Sequence, residues 1–117
     1  MNYTKNHDGL LVPDGFKNLT KEVKDAICNG MGPKGWGWLV PDHFYGLDMS
    51  TCGNIHDFCY YQGGTGWDKI TADMVFLHNM IRVVWLNKNK KWRRYAMATR
   101  YFLAVFWGGK KSFNLIK

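Results

Sequence analysis

Residues 52–64 read CGNIHDFCYYQGG and bring two thiols, an imidazole, a carboxylate and two phenols together just ahead of a glycine pair. An imidazole exchanges protons near neutral pH, and a carboxylate is a hard oxygen donor, so the stretch has the parts of a general base beside a cation site. In a helix, Cys52, Ile55, His56 and Cys59 stand at i, i+3, i+4 and i+7 and form one apolar stripe, which turns His56 inward. Asp57, one residue on, lies about a hundred degrees around that helix and cannot orient the imidazole, but it can face a neighbouring loop. An inward histidine can also be simply a buried residue with a hydrogen-bond partner. Catalysis asks for an acceptor on the ring's second nitrogen, and Asp73, on the inner edge of the next helix, is the acidic residue with the right facing. The bland readings of these carboxylates are a solvated helix residue for Asp57 and an inter-helix hydrogen-bond partner for Asp73.

A cation site needs more than one oxygen. Upstream, residues 29–46 read NGMGPKGWGWLVPDHFYG, with Gly30, Gly32, Gly35 and Gly37 crowded together and prolines close by, which excludes a regular helix. A loop of that length carrying Trp36, Trp38, Phe44 and Tyr45 is expected to be ordered and functional. Folded over the start of the His56 helix, its carbonyl oxygens and the Asp57 carboxylate would make the oxygen cage that Ca2+ prefers. Zinc fits less well, because Cys52, His56 and Cys59 form one cluster where a structural site uses two.

The elements that would position these groups are helical. Thr20 caps a short helix with Glu22 in its first turn, Val23, Ile27 and Cys28 on one face, and Gly30 beyond its end. Ser50 caps the His56 helix, and Gly63 and Gly64 stop it. A third helix is expected from about Asp68 through Trp85, with Ile70, Met74, Leu77, Ile81 and Val84 as its core stripe and Asp73 beside it. The last helix, at about 91–107, shows Trp92, Tyr95, Ala96, Thr99, Phe102, Leu103 and Phe106 at helical spacing, with Arg93, Arg94 and Arg100 off that stripe. Residues 1–17 read as an irregular arm, His43 and His78 as loop or surface residues, and no segment alternates as a strand. The expected fold is a small all-α domain covering residues 1–117, with two long antiparallel helices bearing the His–Asp pair.

The whole chain has 117 residues, 46% of them hydrophobic and 16% aromatic, enough apolar surface for one folded core and against global disorder. No apolar run approaches the roughly 18 residues of a membrane span, and the N-terminus lacks the pattern of a secretory signal. No acidic residue follows Asp73, so the C-terminal third carries most of the net +7 and should be drawn to polyanions, whether nucleic acid or an anionic membrane surface. Lys90, Lys91, Arg93 and Arg94 with Trp92 would suit a lipid interface, and a solvated face fits them equally. Three cysteines cannot all pair within one chain.

With these residues in view, CGNIHDFCY resembles the active-site helix of the phospholipase A2 superfamily. That pattern has a cysteine four before the histidine, an aspartate directly after it and Cys-Tyr three and four after; Cys52, His56, Asp57, Cys59 and Tyr60 fill each place. The stretch from Pro41 to Tyr60 is similar to the short prokaryotic and fungal branch, as are Asp73 and Phe76 on the following helix. The likeness covers about residues 28–81. It implies His56 as the base that activates water, Asp73 as its partner, Tyr60 and also Tyr61 as donors to that carboxylate, and Asp57 as the side-chain calcium ligand. Backbone carbonyls around Gly30, Gly32, Gly35 and Gly37 would complete the calcium site, although the glycine-rich motif of the animal enzymes is missing. Their disulfides are missing too, since the segment around Asp73 has no cysteine; a Cys28–Cys52 link would be a different connection, with Cys59 left as a buried thiol.

The resemblance implies a calcium-dependent hydrolase that releases a fatty acid from the sn-2 position of glycerophospholipids, a monomer peripheral to a membrane or micelle surface, with anionic lipid and no nucleic acid as partner. It would be a secreted protein or a leaderless phage or intracellular form. The alternative is a non-catalytic phospholipase-like module that binds lipid or protein through the basic third.

Overall fold

The computed structural model describes residues 2–6, 8–23, 43–44, 47–87 and 91–108 of the chain. The protein is mostly helical, as expected, with α1 at Ser50–Gln62, α2 at Gly66–Asn87 and α3 at Lys91–Gly108. Residues 21–23 form the first turn of the helix expected after Thr20, whose hydroxyl accepts the Val23 N–H at 3.2 Å. The rest of that helix, Cys28, and the proposed calcium-loop residues Gly30, Gly32, Gly35 and Gly37 lie outside the described residues.

The N-terminal arm departs from expectation. It holds an antiparallel ribbon, β1 at Tyr3–Lys5 and β2 at Leu11–Pro13, with Thr4 opposite Val12. Strands of three residues are too short for period-2 alternation to register in a sequence. The Asn6 side chain closes the turn by accepting the N–H groups of Asp8 and Leu10, and Gly9 takes a left-handed φ of 83° there. A second ribbon pairs β3, His43–Phe44, with β4, Leu47–Asp48. The first ribbon is pinned to α2: the Asn79 amide accepts the Leu11 N–H at 2.8 Å and donates to the Leu11 carbonyl at 2.9 Å, as a neighbouring strand would. His78, expected at the surface, is half-buried and donates from Nε2 to the Gly9 carbonyl.

Helix boundaries follow local chemistry. Ser50 does not cap α1 but is its first residue; its N–H is taken by the Asp48 carboxylate at 2.8 Å. Gly63, with φ 68° and ψ −152°, stops α1 in a conformation that side chains resist. Thr65 and Asp68 then form a capping box at the start of α2: the Thr65 hydroxyl accepts the Asp68 N–H, and the Asp68 carboxylate accepts the Thr65 N–H. A Cβ on Gly64 would strike that carboxylate, so glycine is required where the two helices meet.

Between α2 and α3 lies a core of Met49, Cys52, Phe76, Met80, Val84, Ala98, Tyr101 and Val105; a second cluster joins Val12, Phe16, Ile55, Phe58, Cys59, Tyr60 and Ala72. The α1 stripe is buried as expected. The stripes of α2 and α3 are not. Of the five residues expected to line the α2 core, only Val84 is fully buried, while Ile70, Met74 and Ile81 are exposed. On α3 the buried face is Arg94, Ala98, Tyr101 and Val105, and Trp92 and Leu103 face solvent. Each of these helices carries two apolar faces, and periodicity alone cannot rank them. The faces that pack hold the small residues Ala72, Ala98 and Val105, which let helix axes approach closely. Arg94, read as a surface charge for a lipid interface, is buried and cannot lie there.

Candidate active site

His56 projects from the middle of α1 and Asp73 from the second turn of α2, and the three-residue connection between the helices folds them face to face. The imidazole Nε2 lies 2.9 Å from Asp73 Oδ1, with the histidine 2% and the aspartate 0% exposed. Tyr60, one turn after His56, donates its hydroxyl to the same oxygen at 2.6 Å. Phe76, one turn after Asp73, stacks on the imidazole with centroids 4.5 Å apart and planes at 29°. The ring is thus fixed by a hydrogen bond at one edge and an aromatic face at its side. Its other nitrogen, Nδ1, is buried and has no hydrogen-bond partner among the described residues.

Protonation follows from these contacts. Burial lowers the His56 pKa and outweighs the upward pull of Asp73, and the nearby Lys69 ammonium pushes the same way as burial. The imidazole is therefore neutral at physiological pH, and with its proton on Nε2 facing the carboxylate, the Nδ1 lone pair is bare. For Asp73, burial alone would raise the pKa, but hydrogen bonds from His56, Lys69 and Tyr60 together outweigh it and hold the group below the ordinary carboxylate value. Burial and the Asp73 charge raise the Tyr60 phenol, which stays a donor.

The sequence did not single out Lys69. Its Nζ lies 2.7 Å from Asp73 Oδ2 and also donates to the carbonyls of Phe106, at 3.1 Å, and Val105, at 3.4 Å. A Lys four residues before Asp73 was a readable helix pair, but that order of charges is the weaker one and is usually a solvated feature. Only the packing of α3 over it shows that it is buried.

Asp57 is half-exposed on α1, on a different face from His56. Tyr61, expected as a further donor to Asp73, is exposed, and Tyr60 alone of the two reaches the carboxylate. The carbonyl ligands expected around Gly30, Gly32, Gly35 and Gly37 fall outside the described residues. No group of three or more His, Cys, Asp or Glu able to hold a metal occurs among the described residues; a site made of one carboxylate and main-chain carbonyls does not require one. Of that donor set the described part is Asp57, a carboxylate oxygen of the kind a hard cation takes. Cys52 and Cys59 are free buried thiols; Cys28, the partner weighed for Cys52, lies outside the described residues. Burial pushes the Cys52 and Cys59 pKa values up to about 12 and about 11, which keeps them protonated and poor soft ligands.

Comparison with family models, with curated proteins and with solved structures gives no match to this chain. No helix among the described residues is long and apolar enough to cross a membrane.

Proposed function

We propose that the protein is a calcium-dependent esterase of the phospholipase A2 type, which cleaves the sn-2 ester of glycerophospholipids to a lysophospholipid and a fatty acid. One observation carries this reading: a buried neutral imidazole is tied to a carboxylate through Nε2 while Nδ1 is left without a partner among the described residues. A histidine that served only packing would have little reason to bury a bare nitrogen, since an unsatisfied buried polar atom costs about 1–3 kcal/mol.

In this mechanism Nδ1 of His56 takes a proton from water as the water oxygen attacks the sn-2 carbonyl carbon. Asp73 stabilises the imidazolium through Nε2–H, and Tyr60 holds the carboxylate in place. The proton then passes from Nδ1 to the glycerol oxygen as its bond to the acyl carbon breaks, giving the lysophospholipid and a carboxylic acid. Asp57, with carbonyls from residues 29–38, would hold Ca2+; bound there, the ion supplies positive charge for the ester carbonyl and the oxyanion that grows on it.

The test is fatty-acid release from anionic mixed micelles with Ca2+ and with EDTA, by wild type and by Asp57→Asn. Release that needs Ca2+ and drops by roughly 100-fold or more in the variant is expected; release indifferent to EDTA would end the calcium reading. The non-catalytic module remains the second reading because Trp67, Trp85, Trp92 and Trp107 all stand exposed, as lipid-interface residues would. Such a module would sediment with anionic vesicles and cleave no phospholipid.

A further inference from the structure

The Asp73 carboxylate divides its two oxygens between two tasks. Oδ1 accepts from His56 and Tyr60, whereas Oδ2 accepts from Lys69 alone among the described residues. The Lys69 ammonium has three donors, and three acceptors lie within reach: Oδ2 and the Val105 and Phe106 carbonyls in the last turn of α3. Carbonyls in a helix's last turn lack intrahelical partners and carry the negative end of its dipole, so a cation is favoured there. The rings of Tyr60 and Phe106 lie 5.8 Å and 5.5 Å from the same nitrogen. Lys69 is therefore enclosed at the point where all three elements of the site meet, with α1 represented by Tyr60, α2 by Asp73 and α3 by its terminal carbonyls.

We propose that Lys69 is a positioning residue of the active site: by anchoring Oδ2 to the end of α3 it sets the rotation of the Asp73 carboxylate that aims Oδ1 at His56 Nε2. This rests on the hydrolase reading and adds a residue to it. A carboxylate held only at Oδ1 can turn about its Cβ–Cγ bond; held at both oxygens, it cannot turn without breaking a charge-assisted hydrogen bond. The anchor also leaves the buried carboxylate with a counter-charge that the neutral imidazole does not provide. Lys69 touches neither water nor ester in this mechanism; it acts through Asp73.

The experiment compares wild type, Lys69→Met and Lys69→Arg by two readouts. In hydrolysis of phosphatidylglycerol in mixed micelles with Ca2+, Lys69→Met is expected to lose kcat by roughly 30- to 100-fold with KM within about twofold, and Lys69→Arg to recover part of it, as for a group that aims a general base. In proton NMR at one fixed neutral pH, the downfield His56 Nε2–H signal of a carboxylate-bound imidazole is expected in wild type and lost or broadened in Lys69→Met. A folded Lys69→Met with wild-type kcat and an unchanged Nε2–H signal overturns the proposal and leaves the hydrolase reading standing. If wild type hydrolyses nothing, the hydrolase reading falls and the NMR comparison alone decides whether Lys69 aims the pair. Should Lys69→Met not fold, Lys69→Arg decides by the same signal: retention with partial kcat supports the anchor, and full kcat with a displaced signal refutes it.

Discussion

The two faces of α2 invert the usual distribution of side chains. Its inward face buries Lys69, Asp73 and Asn79 among Ala72, Val75, Phe76, Met80 and Val84, while Trp67, Ile70, Met74, Ile81 and Trp85 stand exposed along the opposite side. The buried polar groups persist because each has a designated partner: Asp73 meets His56, Tyr60 and Lys69, and Asn79 meets both main-chain groups of Leu11. Satisfied polar groups inside a small core are costly to assemble and costly to disturb. Apolar groups outside cost little and contribute little to folding. The contrast gathers the paired polar groups on the inward face and leaves the outward face apolar and exposed.

Removing one member of the inward network should break that contrast most strongly. Asp73→Leu leaves the Lys69 ammonium buried without its carboxylate, and a loss of about 3–5 kcal/mol in urea unfolding is expected. Asn79→Ala strands the Leu11 N–H and carbonyl beneath the ribbon; a loss of about 2 kcal/mol is expected, with hydrogen exchange rising first in residues 3–13. Tyr60→Phe takes one donor from Oδ1 while keeping the ring, and should cost about 1 kcal/mol and a few-fold in kcat. On the outward face, Met74→Gln should change stability by less than about 0.5 kcal/mol. If Met74→Gln proved as damaging as Asn79→Ala, the two faces would not differ as described.

Acid probes the same network without mutation. Both His56 and Asp73 have folded pKa values below their ordinary 6.5 and 3.8, so in each case the unfolded chain binds the proton more readily. Stability from both is present above pH 6.5, falls as pH drops below that value and His56 is driven to charge, and falls again below 3.8 as Asp73 is protonated. Urea midpoints measured from pH 8 to pH 3 should decline in that order, and a midpoint that rises between pH 7 and pH 5 would contradict the assignment of a neutral buried imidazole.

The sequence disclosed the His56–Asp73 pairing better than it disclosed the packing around it. Cys52, Ile55, His56 and Cys59 could be read as an inward stripe because α1 has a single apolar face, and Gly63 and Gly64 marked its end. Asp73 was legible as the partner because few acidic residues could face His56. The α2 and α3 stripes misled because aromatic and aliphatic residues repeat on both sides of each helix, and the small Ala72, Ala98 and Val105 decide which side packs. Lys69 and Asn79 were hidden for another reason. A polar residue can be buried only if its partners arrive from elsewhere, here the end of α3 and the edge strand β2, and helical spacing carries no record of them. The calcium loop stays an expectation, because Gly30, Gly32, Gly35 and Gly37 lie outside the described residues.

The central claim is that the bare Nδ1 of His56 is a working base. Its most direct test uses phosphatidylglycerol labelled in the sn-2 acyl chain, with Ca2+ present, and compares wild type with His56→Asn, after far-ultraviolet circular dichroism has shown the variant folded. Labelled fatty acid should appear with wild type and fall by at least roughly 1,000-fold with the variant. Equal release by both proteins, or none by either, would contradict the account.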